Sequence, residues 1–194
     1  MALHAPQPPA ASRTAAREGI DRLVDSGVIP PFARARSGTD LDLTRPRELY
    51  QLGRAELLGD AGLAAARPVL WRYVVELGDE DVALADTQPE PDGTHVLGQV
   101  NYGPFVAGIA QALRVAEGAE REVDAESRLL HVPALHLIAV WLRATTGEDR
   151  LIPADPAPEG IDAGRLYRAD TLLPTLTTLA AALPEPITDD ARGG

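Results

Sequence analysis

The apolar run RLLHVPALHLIAVWLRA, residues 128–144, constrains the fold more than any other feature of this sequence. Both of its faces are apolar when it is read with a period of two, a pattern typical of a central β-strand that is covered on both sides. A helix beginning at Pro133 is the alternative, because Leu135, Ile138 and Leu142 also fall on one helical face. We favour the strand, which places this run in the middle of a sheet.

Alternating patterns predict four more strands around this run. Residues 68–88 read as an antiparallel hairpin, in which RPVLWRYVVEL and VALADTQP are joined by the four-residue turn GDED. The segment THVLGQVNY follows as a third strand, and RLIPADP follows the turn TTGED as a partner of the central strand. The expected sheet therefore has about five strands.

Four segments have the period of an amphipathic helix. The first ends near Gly27, and the second spans about 45–58, with Thr44 as its N-cap and Pro46 in its first turn. The third is GPFVAGIAQALRVAEG, and the fourth begins at the cap Asp170. In chain order, the residues expected to face the core are Ile20, Leu23 and Val24; Leu49, Leu52 and Leu58; Phe105, Ile109 and Leu113; and Leu172, Leu176, Leu179 and Leu183.

This order of elements predicts an α+β fold, with a mixed or antiparallel sheet of about five strands flanked by helices. We expect a single domain over residues 13–184. The Pro- and Ala-rich arm 1–12 and the short tail 185–194 have no useful periodicity, so we expect both to be disordered. A loop punctuated by Pro and Gly, residues 153–168, precedes the last helix.

The composition excludes several chemistries for this chain. It has no Cys, and all 18 of its basic residues are Arg, so thiolate, Walker A and Schiff-base chemistry have no residue to carry them. No Ser lies in a G-x-S-x-G elbow, and no G-x-G-x-x-G follows a predicted strand. We expect neither a metal nor a cofactor. The missing Lys, with abundant Ala and Gly, indicates a GC-rich bacterial genome.

The net charge argues against two classes of partner. A charge of −11 and a pI near 4.7 would repel nucleic acid and anionic membranes. No apolar run approaches the roughly 20 residues that span a bilayer. The N-terminus also lacks the apolar core of a signal peptide, so we expect a cytoplasmic protein.

The negative charge is concentrated in the second part of the chain. Residues 1–72 carry a net +2 and residues 73–194 a net −13, and no Lys or Arg lies between Tyr73 and Leu113. This acidic block either steers an Arg-rich partner or is a solvated face that keeps the protein soluble. The solvated face is the favoured interpretation.

Two histidines, His131 and His136, interrupt the central run. Ligands on one strand must be an even number of residues apart to share a face, and ligands on a helix three or four apart. These two are five apart, so an unbroken strand sends them to opposite sides unless a bulge at Pro133 restores the phase. We therefore interpret both as structural, while keeping His136 as a candidate ligand-binding residue.

The segment QVNYGPF is the most suggestive polar cluster. It places Gln99, Asn101 and Tyr102 where a strand runs into a helix N-terminus, whose free N–H groups attract anions. Either this corner is one wall of a small-molecule pocket, or Asn101 caps the helix and the next glycine makes the turn, which we favour. Arg165 and Tyr167 in the late loop admit the same two interpretations.

Two functional hypotheses follow. The first is a non-catalytic acidic protein-interaction module, such as an adaptor, a chaperone-like protein or an assembly component, whose partner is another protein or a second copy of the chain. The alternative is a small-molecule-binding protein, or an enzyme that uses carboxylates and His, with its pocket near the strand-to-helix corner at residues 99–105. No catalytic residue is assigned.

Overall fold

The computed structural model describes residues 6–35, 37–119 and 124–184, which form one eight-stranded mixed sheet and four α-helices. The elements in chain order are α1 (Ala10–Ser26), β1 (Leu41–Gln51), α2 (Arg54–Leu58), β2 (Arg67–Leu77), β3 (Glu80–Pro89), β4 (His95–Asn101), α3 (Pro104–Ala119), β5 (Ala125–Val132), β6 (Leu137–Ala144), β7 (Arg150–Pro153), β8 (Tyr167–Arg168) and α4 (Ala169–Ala182). None of the helices in these three segments has the length and apolarity needed to cross a bilayer.

The sheet consists of two antiparallel four-stranded meanders joined side by side. Its strand order is β4-β3-β2-β1-β5-β6-β7-β8, and β1 pairs with β5 in parallel, whereas all other neighbours are antiparallel. Parallel neighbours cannot be joined by a tight turn, so the chain needs a crossover between the two meanders. Helix α3 provides that crossover.

Helices cover both faces of the sheet, so that the core has two sides. On one side, which we call the α3 face, apolar residues of α3 such as Ile109 and Leu113 pack against Leu49, Leu129 and Val140. On the other, the α1/α4 face, α1 covers the β2–β3 half, while α2 and α4 cover the β5–β7 half. The α+β class with a mixed sheet is thus confirmed, with more strands than the sequence predicts.

One predicted helix is wrong. Residues 45–51 belong to strand β1, and only Arg54–Leu58 are helical. The register of β1 against β2 shifts between Thr44 and Arg47, and Arg45 has a φ of 45°, so β1 carries a β-bulge. Because a bulge breaks the period of two, Leu43 and Leu49 face opposite sides of the sheet, and β1 shows no continuous alternation. The stripe that predicted the helix joins the end of β1 to α2, and Leu58, which was expected to face the core, is 42% exposed.

Seven other predicted elements are confirmed, with corrections at their ends. Strands β2, β3, β4 and β7 and helices α1, α3 and α4 are found where the patterns place them, although the first hairpin turns over two residues, not four. Helix α1 begins at Ala10, so the predicted arm is helical over its last three residues. Residue Arg168, not Asp170, is the N-cap of α4. Residues 1–5 and the predicted tail 185–194 lie outside the described residues.

Gly108 allows α3 to lie directly against the loop that follows β7. A Cβ atom built at this position would overlap the backbone carbonyl of Asp155, whereas one built at Gly118, near the end of the same helix, would meet nothing within 4 Å. Backbone cannot move aside as a side-chain end does, so this contact requires glycine.

We expect Gly108→Ala to lower the free energy of unfolding by about 1–3 kcal/mol, because the methyl group must push α3 away from the loop. Gly118→Ala is the matched control, and it should be neutral or stabilising by up to about 1 kcal/mol, because alanine favours the helix. Urea unfolding of both variants measures the difference. Equal effects would show that α3 does not contact the loop as closely as described.

Candidate functional site

The central apolar run is folded back on itself, which changes the placement of its two histidines. Strand β5 ends at Val132, a 3₁₀ turn spans Pro133–Leu135, and β6 returns antiparallel from Leu137. The prediction of a single strand over residues 128–144 is therefore wrong, and so is the alternative of a helix that begins at Pro133. A proline inside a strand pattern, here Pro133, is the signal that could have identified the break, because it cannot donate to the ladder.

The hairpin brings both histidines to the α3 face. His131 is paired in register with Ile138, which packs on the α3 side of the core. His136 lies in the turn and contributes to the same cavity wall as Ile138. The prediction that the two side chains face opposite sides is thus wrong, because it assumes an unbroken strand. His95 lies on the other face, in register with Pro89 near the start of α1.

A buried ion pair lies on the same α3 face. Arg72 of β2 donates from Nε to Oδ1 of Asp86 on β3 at 2.7 Å, and from Nη2 to Oδ2 at 2.6 Å. The side chain of Arg72 is 8% exposed and that of Asp86 is fully buried. Removing two charges from water is costly, so such a pair is weak evidence for stability on its own and calls for another explanation.

Two predicted site residues belong to this ion pair. The amide nitrogens of Gln99 and Asn101 donate to Oδ2 of Asp86, at 2.7 and 3.3 Å. The amide of Asn101 is therefore engaged with a carboxylate of the sheet. Tyr102, the third residue of the predicted corner, is 45% exposed. Gln99 and Asn101 hold the carboxylate in place, and the carboxylate holds the guanidinium.

The third nitrogen of Arg72, Nη1, is buried and has no hydrogen-bond partner among the residues that the structure describes. Buried donors are almost always paired, and leaving one unpaired costs free energy. Because Nε and Nη2 both point to Asp86, Nη1 lies on the opposite edge of the guanidinium, directed away from β3. On the neighbouring strand β1, the residue in register with Arg72 is Arg47, which is also buried.

His131 is electrostatically linked to this pair. Burial lowers the pKa of His131, Arg72 and His136 lower it further, and Asp86 acts in the opposite direction. The lowered pKa favours the neutral imidazole, which offers one N–H donor and one acceptor.

A cavity of about 250 Å³ lies beside the first turn of α3. Its wall is mostly apolar, with His136 and Asp155 as its polar groups; the lining residues are Phe105, Ile109, His136, Ile138, Ala154, Asp155 and Pro156. Small-molecule sites are typically apolar cavities with a few polar groups of this kind. The ion pair lies on the same face of the sheet, but Arg72, Asp86 and His131 are not among the residues that line the cavity.

The late loop lines the cavity with its residues 154–156, whereas Arg165 and Tyr167 are not part of the cavity wall. Arg165 forms an ion pair with Asp162 at 3.0 Å and lies over the ring of Tyr167, with 4.9 Å between the guanidinium carbon and the ring centroid. The hydroxyl of Tyr167 accepts a hydrogen bond from the backbone of Asp162. These residues form a local cluster that braces the loop on its outer side.

Sequence reasoning missed the buried ion pair of Arg72 and Asp86. Their signal is present: each is the one charged residue on an otherwise apolar stretch, in WRYVV and ALADT, and the two stretches form one hairpin. Charged residues in buried strands are almost always paired. Only the actual register, which depends on the two-residue turn and a bulge, makes them direct neighbours.

Within the described segments, no group of three or more His, Cys, Asp or Glu is arranged to hold a metal ion. No family model, curated protein or solved structure matches this chain. The function therefore has to be inferred from the geometry of the site.

We expect Asp86→Asn to lower the free energy of unfolding by about 3–5 kcal/mol, because it leaves the Arg72 guanidinium buried without a counter-charge. The double variant Arg72→Met/Asp86→Leu removes both charges and should lie within about 1–2 kcal/mol of the native protein. Urea unfolding measures both. If Asp86→Asn lowered the free energy of unfolding no more than the double variant does, the ion pair would be more hydrated than described.

His136 adopts a left-handed backbone conformation, with φ 49° and ψ 30°. Because a Cβ atom costs about 1 kcal/mol there, His136→Gly should be more stable than His136→Ala by about that amount. Thermal unfolding of the two variants measures this difference, and both lack the imidazole. Equal stability would contradict the left-handed turn.

Proposed function

We propose that this protein binds a small molecule on the α3 face, in the cavity at the amino-terminal end of α3. The observation that supports this most directly is the cavity itself, which has a volume of about 250 Å³ and a wall of five apolar residues with His136 and Asp155 as its polar groups. Small-molecule sites typically combine a mostly apolar wall with a few polar groups in this way.

The position of the site in the fold agrees with this proposal. The corner at residues 99–105 joins the edge meander to the crossover helix, so strand β4, the turn and α3 all meet the sheet there. Ligand cavities commonly form where a sheet changes direction and a helix begins. The wall of the cavity is formed by α3, the β5–β6 turn, β6 and the loop that follows β7.

The acidic block between Tyr73 and Leu113 offers less support for an interaction surface than its composition indicates. Four of its seven acids form ion pairs with arginines from elsewhere in the chain: Glu76 and Asp81 with Arg45, Glu80 with Arg34, and Asp86 with Arg72. Much of the negative charge is thus neutralised within the molecule. An acidic protein-binding module stays a prediction, and we favour the small-molecule site.

A thermal-shift screen with small metabolites tests the proposal. A ligand at about 100 times its Kd stabilises the native state by about 2.7 kcal/mol, which raises the Tm of a domain of this size by several degrees. We expect such a shift for at least one compound, and we expect Ile138→Phe to abolish it, because the larger side chain fills the cavity.

Val96→Phe is the matched control for this experiment. Val96 is also an aliphatic residue on a strand, it is 42% exposed, and it lies outside the cavity wall. This variant should keep the thermal shift. If the ligand-induced rise in Tm persisted in Ile138→Phe and was lost in Val96→Phe, the ligand would bind elsewhere. A screen in which no compound raises the Tm would count against a small-molecule site.

A further inference from the structure

We infer that the outer edge of strand β4 pairs with the same strand of a second copy of this chain, so that the two sheets become one continuous sheet across a two-fold axis. This inference is independent of the proposed ligand site, which lies beside α3. Three observations carry it: the unprotected edge of β4, the exposed apolar side chains around it, and the absence of charged residues in it.

Strand β4 forms one of the two edges of the sheet. Within the described residues, β3 is the only strand that pairs with it. An edge strand presents backbone N–H and C=O groups without a ladder partner, and natural proteins protect such edges with charged side chains, proline, bulges or very short strands. β4 is seven residues long and contains no Asp, Glu, Lys, Arg or Pro. Its one interruption is a bulge at Gly98, where the register against β3 shifts.

The opposite edge of the sheet is protected. Strand β8 has only two residues, and its Arg168 forms ion pairs with Glu148 and Asp170. A short, charged edge of this kind is a poor template for a further strand. Of the eight strands of the sheet, β4 alone has no charged residue. It is therefore the edge at which a strand can be added.

Apolar side chains are exposed around β4. The described residues include five large apolar side chains that are exposed, and three of them lie near this edge: Val96 in the strand, Tyr102 directly after it, and Val28. Val28 precedes Ile29, which lines a groove of about 320 Å³ between α1 and β4. The wall of this groove consists of Gly19, Arg22, Leu23, Ile29 and residues 97–100. Exposed apolar surface that is concentrated in one place is typical of a contact between proteins.

A second copy of the chain is the partner that fits this edge. In an antiparallel pair of two β4 strands, the start of each strand lies beside the end of the other. Val96 of one copy therefore approaches Tyr102 of the other, and the two-fold axis repeats the same contact. Each copy thus supplies the apolar side chains that the other needs, whereas a strand of another protein would have to supply both contacts itself.

The charge of the chain restricts where two copies can meet. A net charge of −11 makes them repel each other, so a contact needs surfaces without like charges. β4 meets this condition, and Arg22 is the single charged residue in the wall of the groove. The acids that precede β4 most closely in the chain, Glu90 and Asp92, lie in the loop before it. Antiparallel pairing places the two copies of this loop at opposite ends of the contact, so they do not face each other.

Analytical ultracentrifugation of the full chain tests this inference. The bulge at Gly98 keeps the paired segment short, so we expect a reversible dimer with a Kd of about 1–100 µM. Raising the salt concentration from about 50 to 500 mM should lower this Kd severalfold, because salt screens the repulsion between two acidic copies.

Val96→Lys should raise the Kd at least about tenfold, because it brings a charge of each copy into the paired edge. Leu58→Lys is the matched control, since Leu58 and Val96 are both 42% exposed and Leu58 lies in α2, over the other half of the sheet. Both side chains are exposed, so neither substitution should unfold the protein. Each adds one positive charge, which by itself weakens the repulsion between copies. A loss of the dimer in Val96→Lys alone is therefore an effect at β4.

Hydrogen exchange shows whether the strands themselves pair. The backbone N–H groups of residues 95–101 should exchange more slowly above the Kd than below it, whereas those of β8 should not change. A chain that stays monomeric at about 500 µM, above the weakest Kd expected, would overturn the inference. An extended segment of another protein would then be the alternative partner of β4.

Two further results would also overturn the inference. A dimer that persists in Val96→Lys, or that is lost equally in Leu58→Lys, would not be formed through β4. A dimer without added protection of the β4 amides would be formed by another surface. The ligand site beside α3 is tested separately by the thermal-shift screen, so the two proposals can fail independently.

Discussion

The parallel pairing of β1 with β5 is the constraint on which the rest of the structure depends. Leu49, Tyr50 and Gln51 pair with the end of β5, and the backbone N–H of Leu52 donates to the carbonyl of His131 at 2.9 Å. Two meanders that each satisfy their own hydrogen bonds become one sheet only through this short contact. Because it is parallel, the chain has to cross a sheet face between β4 and β5, and α3 does so. The amino-terminal end of α3, with its cavity, is a consequence of that crossing.

The buried pair of Arg72 and Asp86 is the second organising interaction, and it acts on specificity more than on stability. Its desolvation cost offsets much of its attraction, but Gln99 and Asn101 satisfy the remaining lone pairs of the carboxylate. The result is a guanidinium that is held in one orientation on the α3 face. His131 lies on the same face, and Arg72 and Asp86 act on its pKa in opposite directions.

Local patterns were sufficient for elements whose period is regular. The patterns of β2 and β3 and the helical stripe of α3 are regular along each element, so these elements could be predicted without knowledge of their neighbours. The predictions failed where the period is interrupted. The bulge at Arg45 removes the alternation from β1, so that the leucines at its end and in α2 resemble one helix, and the turn that begins at Pro133 makes two strands resemble one. For the site, Gln99, Asn101 and His136 were identified as candidates from their position, and the structure brings the first two together on Asp86. Arg165 and Tyr167 lie apart from them.

By itself, the sequence determined the class of fold, the residues that form the core, and the exclusion of thiol and lysine chemistry, because these follow from composition and from short-range periodicity. Only the tertiary structure decided that the two histidines share a face, that Arg72 lies beside Asp86, and that one guanidinium nitrogen has no partner. The physical reason is that strand register and turn length shift side chains by one residue at a time, and each such shift moves a side chain to the other face of the sheet. Those shifts depend on contacts between residues far apart in the chain.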